Sequence, residues 1–271
     1  MSSSVNSAYS TMKKAKLIAL LMVGALGANA QSHMIGFGPT RVLDTYISQE
    51  KFSGTGFTYL YIRDGKKPEK RWQNTFEHEV DLSKSKDRGN STSMLEGNYY
   101  LYWSRLASLI GRANPSSQDS PAGRFHLQAG LTANANLGFL YDMTTSNNPA
   151  QARLALNLMP TGIATYGFNI KRQHFALRYE LNLPLFGIMF SPNYGQSYYE
   201  IFNRGDYDHN VVPTTFVSAP TFRQLLTLDW QVSTRWALRI GYLGNYQQAD
   251  INHLKQHIYT HRVLLGISRC L

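Results

Sequence analysis

RFHLQAGLTANANLGFLY, residues 124–141, alternates with a period of two. Phe125, Leu127, Ala129, Leu131, Ala133, Ala135, Leu137 and Phe139 fall on one face of an extended chain. His126, Gln128, Gly130, Thr132, Asn134, Asn136 and Gly138 fall on the other. Such a run is longer than the strands of most soluble sheets, and a bilayer needs about nine to eleven tilted strand residues. Apolar side chains on one face, with amides, threonine and glycine on the other, suit a wall between lipid and a polar lumen.

The same period recurs along the chain. FALRYELNLPLFG (175–187) sets Phe175, Leu177, Tyr179, Leu181, Leu183 and Leu185 against Ala176, Arg178, Glu180, Asn182 and Pro184. In WQNTFEHEVDL (72–82), Phe76, Val80 and Leu82 face away from Glu77, Glu79 and Asp81. In FRQLLTLDWQV (222–232), Leu226, Leu228, Trp230 and Val232 oppose Thr227, Asp229 and Gln231. WALRIGYLGNY (236–246) and HRVLLGISR (261–269) alternate in the same way, while EGNYYLYWSRL (96–106) carries aromatics on both faces. With FTYLYIR (57–63), ARLALNLMPTGIATYGF (152–168) and RVLDTYIS (41–48) as a first strand, about ten strands are predicted, with eight to twelve as the range. The expected fold is all-β, an antiparallel up-and-down transmembrane barrel. A secreted β-sandwich is the alternative, its apolar faces forming an ordinary core.

Composition agrees. Only 16% of the 271 residues are charged, below the soluble average of about 25%, and 17 are tyrosine. Mean hydropathy is −0.32, which excludes a helical membrane protein. The one long apolar run is N-terminal. Lys13, Lys14 and Lys16 precede a short apolar core at 17–26, and Ala28-Asn29-Ala30 is a small-x-small cleavage signal. This predicts a signal peptide over residues 1–30, cleaved after Ala30, and a barrel domain over 31–271. Translation starts at Met1 or Met12. Removing those lysines lowers the formal charge from +10 to about +7. The single Cys270 allows no internal disulfide. Outer membrane is the expected location, with aromatics near strand ends (Trp72, Tyr141, Tyr166, Phe168, Trp230, Trp236, Tyr246 and Tyr259 among them) as interfacial girdles.

Connections are expected to be short at 169–173 and 233–235 and long at 142–150, 191–220 and 247–256, the short ones periplasmic. The long segment 107–123 departs from that alternation.

VLDTYIS, SNNPAQA, NLPLFGIMFSPNYGQSYYEIF and INHLKQHIYTHRVLLGI together resemble a family of exported proteins of unknown function, common in Gram-negative gut anaerobes. The resemblance covers nearly all of the chain after residue 30. It implies an outer-membrane-type barrel and no established activity, so no catalytic residue is carried over. Many barrels end in an aromatic residue, whereas this chain ends Arg269-Cys270-Leu271.

No nucleophile elbow, phosphate loop, Cys-x-x-Cys or His-Glu-x-x-His occurs, and no cofactor is expected. Arg153, Arg178, Glu180, Asp229, Arg239 and Arg262 share the predicted interior, as a structural network filling the lumen or as a narrow anion-selective passage lined by excess arginine. Tyr194, Tyr198, Tyr199 and Glu200 belong to the longest loop, a packed loop or lid. His253, His257 and His261 recur every four residues, which on a strand spaces them about 13 Å apart, too far for one ion; no metal is expected. The basic turn RDGKKPEKR (63–71) reads as solvated. Outer-membrane lipids are the expected partners, with lipopolysaccharide or a small ligand next and nucleic acid excluded by export. A structural or binding barrel with a plugged lumen is the first reading. A narrow pore is an alternative, as is a lipid-modifying enzyme in which a Ser or Tyr meets a His at the membrane rim.

Overall fold

The computed structural model describes residues 30–65, 71–111, 124–144 and 149–269. The signal segment before Ala30, the centre of the basic turn, residues 112–123 and Cys270 lie outside the described residues. The elements are β1 (Ala30–Asp44), β2 (Ser48–Gly65), β3 (Trp72–Lys86), β4 (Ser93–Ile110), β5 (Arg124–Asp142) and β6 (Ala150–Ile170). They continue with β7 (Gln173–Asn182), β8 (Phe186–Phe190), the helix α1 (Tyr198–Arg204), β9 (Val211–Thr215), β10 (Phe222–Gln231), β11 (Trp236–Ile251) and β12 (Leu254–Arg269).

Every strand pairing is antiparallel, and β1 pairs with β12 to close the sheet on itself. Round the ring the order is β1, β2, β3, β4, β5, β6, β7, β10, β11, β12, giving ten positions. Closure pairs each of these ten strands on both sides.

The wall is interrupted once. β7 pairs with Thr161–Ile170 of β6, while β8 pairs with Ala155–Leu158 of the same strand. The stretch 175–187 is therefore not one strand. Pro184 has no N–H to give a ladder, so β7 stops at Asn182 and the chain re-enters as β8, paired on its other edge with β9.

Three further expectations are corrected. RVLDTYIS is not the first strand: β1 begins eleven residues earlier, and Thr45-Tyr46-Ile47 is its turn. The alternation of β1 is faint because Met34 lies on its inward face and His33, Pro39 and Arg41 on its outward one. The segment 247–256 is not a long loop. β11 and β12 run on to a two-residue turn at Asn252-His253, both at positive φ (54° and 62°), the geometry of a tight hairpin. The short-long alternation fails for a related reason: the turns 45–47 and 252–253 lie at the same end as the long segment 183–221.

Period-two burial sorts the side chains. Ile35, Phe37, Leu131, Leu137, Leu156, Leu177, Ile240 and Leu265 are exposed on the outer face, and Arg178 and Glu180 are buried within. A contiguous outer belt of this kind belongs to barrels of the outer-membrane type. At one end the belt carries stacked aromatics, Tyr166–Phe168–Phe175–Trp230. Towards the other it carries Tyr242, Tyr246 and Tyr259 with His257 and His261. Inside, Met34, Leu60, Ile62, Leu225, Leu243 and Leu264 form one apolar cluster, and Val42, Phe52, Met94, Leu140 and Ile258 another.

Candidate functional site

Three of the inward arginines reach strands five positions away round the ring of ten, which is the opposite wall. Arg153 on β6 holds Asp44 of β1 at 3.1 Å and Glu96 of β4 at 3.4 Å. Arg178 on β7 meets Asp64 of β2 at 3.6 Å, besides its neighbour Glu180 at 2.8 Å. Arg223 on β10 holds Glu77 and Glu79 of β3, each at 2.8 Å, and Glu180 at 3.4 Å. The Tyr102 ring lies under the Arg223 guanidinium at 4.5 Å. Buried ions of this kind persist only when paired and hydrogen-bonded.

The remaining pairs are more local. Arg239 binds Asp229 on the adjacent strand and donates to Ser32 at 2.7 Å. Arg262 binds Asp81 at 2.9 Å and donates to Thr40 and to the carbonyls of Gly38 and Pro39. A Cβ at Gly56 would run into the Arg262 guanidinium, so glycine there makes room for it. Amides complete the crossing: Asn245 donates to Glu79, and Gln247 to Tyr100.

All six of the interior residues picked from the pattern are thus inside the barrel and ion-paired, with Arg178–Glu180 and Arg239–Asp229 paired among themselves. Arg223, Glu96, Asp44 and Asp64 are not among the residues the pattern picks, and Glu77, Glu79 and Asp81, though set opposite the apolar face of β3, are not counted with the interior network. A signal existed for several: Arg223 lies an even number of residues from Thr227 and Asp229, and Glu77, Glu79 and Asp81 share one face of β3. Their inclusion reverses the charge balance that the six alone suggest. Among the described residues, carboxylates of Asp44, Asp64, Glu77, Glu79, Asp81, Glu96, Asp142, Glu180 and Asp229 line the interior against five arginines, so acids are in excess.

The segment after β8 covers one mouth of the barrel. α1 starts at Ser197, whose hydroxyl accepts from the Glu200 N–H while the Glu200 carboxylate accepts from the Ser197 N–H, and it ends at Gly205 in the left-handed region (φ 74°). Tyr198 accepts from the Ala152 N–H of β6 at 2.7 Å and packs edge-on against Tyr46 in the β1–β2 turn, so it bridges opposed walls. Burial pushes its hydroxyl up to about 12. Asn252, in the β11–β12 turn, donates to the carbonyls of Ser191 (3.1 Å) and His209 (2.9 Å). The segment is a lid. Tyr194 and Tyr199 are exposed on it, the latter under Arg204, and Glu200 serves the helix cap. Hydrogen bonds from Ser197 hold the Glu200 carboxyl below its usual range.

Flanked by Arg153 and Arg223 lies a chamber of ≈ 50 Å³ lined by Tyr100, Tyr102, Asn134, Asn136, Asn157, Asn245 and Gln247. Of the histidines, His257 and His261 face outward, and His261 bonds Tyr242 at 2.6 Å. Ser108 meets His126 at 3.1 Å, near the barrel end where β4 finishes.

Residues 27–271 match the family described as protein of unknown function, DUF3316. The chain belongs to that family. No curated protein matches it. Similar solved structures include the translocator domain of the autotransporter NalP from Neisseria meningitidis, 12% identical over 99% of this chain and 98% of that one, TM-score 0.38. The transport unit of the autotransporter AIDA-I from Escherichia coli is 8% identical over 92% of each chain, TM-score 0.40. Neisserial surface protein A is 10% identical over 90% of this chain and 96% of that one, TM-score 0.34.

Proposed function

We propose that this DUF3316 chain is an outer-membrane barrel, exported by a signal peptide cleaved after Ala30, that is closed to solute flow and acts by binding at its lidded end. The observation that carries the closure is Arg223, which ties β10 to Glu77 and Glu79 on the opposite wall with side chains that are almost fully buried. A water path would have to break charged hydrogen bonds, each costly to leave unmade in a low-dielectric interior. The lid end faces outward. Its outer surface carries exposed Arg41, Lys51, Lys84, Lys86, Arg88, Arg204 and Lys255 beyond the apolar belt, against exposed Glu50, Asp206, Asp208 and Asp250, a balance that suits the phosphates of lipopolysaccharide.

Planar-bilayer recording of the refolded barrel tests the closure. The expected trace shows no stable conductance at neutral pH; regular single-channel steps would sink the reading. Lipopolysaccharide retained on purification, and reduced in a Lys84→Glu, Lys86→Glu double variant, is the expected result for the outer surface.

A further inference from the structure

We infer that the chamber flanked by Arg153 and Arg223 is the headgroup site for an amphiphile with an uncharged, hydroxyl-rich head, whose tail leaves sideways through the break between β7 and β8. This rests on the closed, binding barrel proposed above and names what it binds.

The first observation is the lining. Asn134, Asn136, Asn157, Asn245 and Gln247 are amides, each with two N–H donors and a carbonyl acceptor; one N–H of each is taken by a neighbour, which leaves the second of each pair for a head. Charge on the two arginines is already answered: Arg153 by Asp44 and Glu96, Arg223 by three glutamates. An anionic head would meet no spare positive charge there. Two polar atoms at the chamber, Arg153 Nε and Asn136 Oδ1, are buried and without a hydrogen-bond partner among the described residues. Arg153 is only 4% exposed. A buried donor and a buried acceptor left open in one chamber fit a solute that supplies both.

The second observation is a side opening. A smaller cleft of ≈ 10 Å³ shares Asn157, Met159, Thr214, Ala219 and Thr221 with the chamber and is bounded outside by Pro184, Leu185 and Phe186. Leu185 and Phe186 are exposed on the apolar outer surface. The cleft exists because Pro184 interrupts the wall. Above β10, β9 has no strand partner on its free side, and the seam towards β11 is held by Asp250 N–H to Ser218 O (2.9 Å) and by Thr221 to the Gln248 carbonyl (3.4 Å). On a scale of about 10–15 Å³ per water, the chamber has room for a few waters and the cleft for one. A hydroxyl-rich head is larger than that, so its binding requires the seam to spread. A polar chamber opening through an apolar cleft onto the outer belt matches a molecule with one polar and one apolar end.

The test uses the full barrel purified in an amine-oxide detergent, with octyl glucoside as probe and glucose and octyl phosphate as comparators, read by native mass spectrometry. Octyl glucoside is expected to be retained saturably, at least tenfold more tightly than either comparator. Retention should fall at least tenfold in Asn157→Leu, which removes head contacts, and in Ala219→Leu, which fills the shared neck. Both variants are first checked for the gel shift of a folded barrel, and Asn157→Ser replaces any that fails. Equal retention of glucose would overturn the tail path, equal retention of octyl phosphate the uncharged head. Retention unchanged in the folded variants would overturn the site. An open conductance would instead strike at the closed barrel, and it is measured without any probe.

Discussion

Arg153 Nη2 lies 3.1 Å from Asp44 Oδ2, although the two residues belong to strands at opposite positions of the ring. The same relation joins Arg178 to Asp64 and Arg223 to Glu77 and Glu79. On β1 and β2, Asp64 pairs in register with Ala30 at one end, and Asp44 lies at the other. The crossings therefore occur at several depths, and the lumen is tied along its length.

Removing the Arg223 side chain in Arg223→Met leaves three buried glutamates short of a cation. Loss of about 3–5 kcal/mol is expected, because uncompensated buried charge costs more than the pair contributes. Urea titration followed by gel mobility checks it. Adding Glu77→Gln and Glu79→Gln should recover most of the loss; an unchanged midpoint in the single variant would remove the network from the stability account.

Leu265, exposed on the outer face and opposite Ile35 in register, reads directly on the membrane assignment. Leu265→Arg should destabilise the barrel folded in lipid by about 2–4 kcal/mol if that face meets the bilayer midplane. A surface change in a water-soluble sandwich stays within about 0.5 kcal/mol. Unfolding in liposomes distinguishes the two.

Asn252 holds the lid from the β11–β12 turn through its side-chain amide. Asn252→Asp replaces those donors with an acceptor facing carbonyl oxygens. Trypsin cleavage at Arg204 should speed up roughly tenfold, since each lost hydrogen bond costs about 1 kcal/mol or more and cleavage tracks the open population. Cleavage at the native rate would mean that the turn does not restrain the lid.

Acid should loosen the lid at its helix. The Glu200 carboxyl is held below its ordinary range by the Ser197 N–H and hydroxyl. A depressed folded value contributes stability that is present above the ordinary glutamate range and is lost as pH falls through the folded one. Trypsin is inactive there, so pepsin digestion from pH 5 to pH 2 is the assay. Glu200→Gln should flatten the rise in lid cleavage with acidity; an identical profile would place the acid response elsewhere.

Alternation made much of the wall legible in advance. In β5, β7 and β10 each side chain's face follows from its parity, because the pleat leaves a strand residue only two directions. Arg178, Glu180, Asp229 and Arg239 were assignable to the interior on that ground alone. β1 was hidden because Met34 faces inward while His33, Pro39 and Arg41 face outward, which blurs the contrast between its two faces. The β11–β12 hairpin was hidden because Gln247, Gln248 and Asp250 look like loop residues, although they lie on strands that extend past the apolar belt.

Local pattern by itself determined the strand period, the apolar outer face, the polar interior and the absence of any recognised catalytic motif. Those depend on neighbours two residues apart. Only the closed ring decided that Arg223 meets Glu77, that acids outnumber arginines inside, and that the loop carrying Tyr198 is a lid. These partners lie as many as 146 residues apart in the chain. Which walls face one another depends on how many strands close the barrel and in what register, and neither is encoded in any single strand.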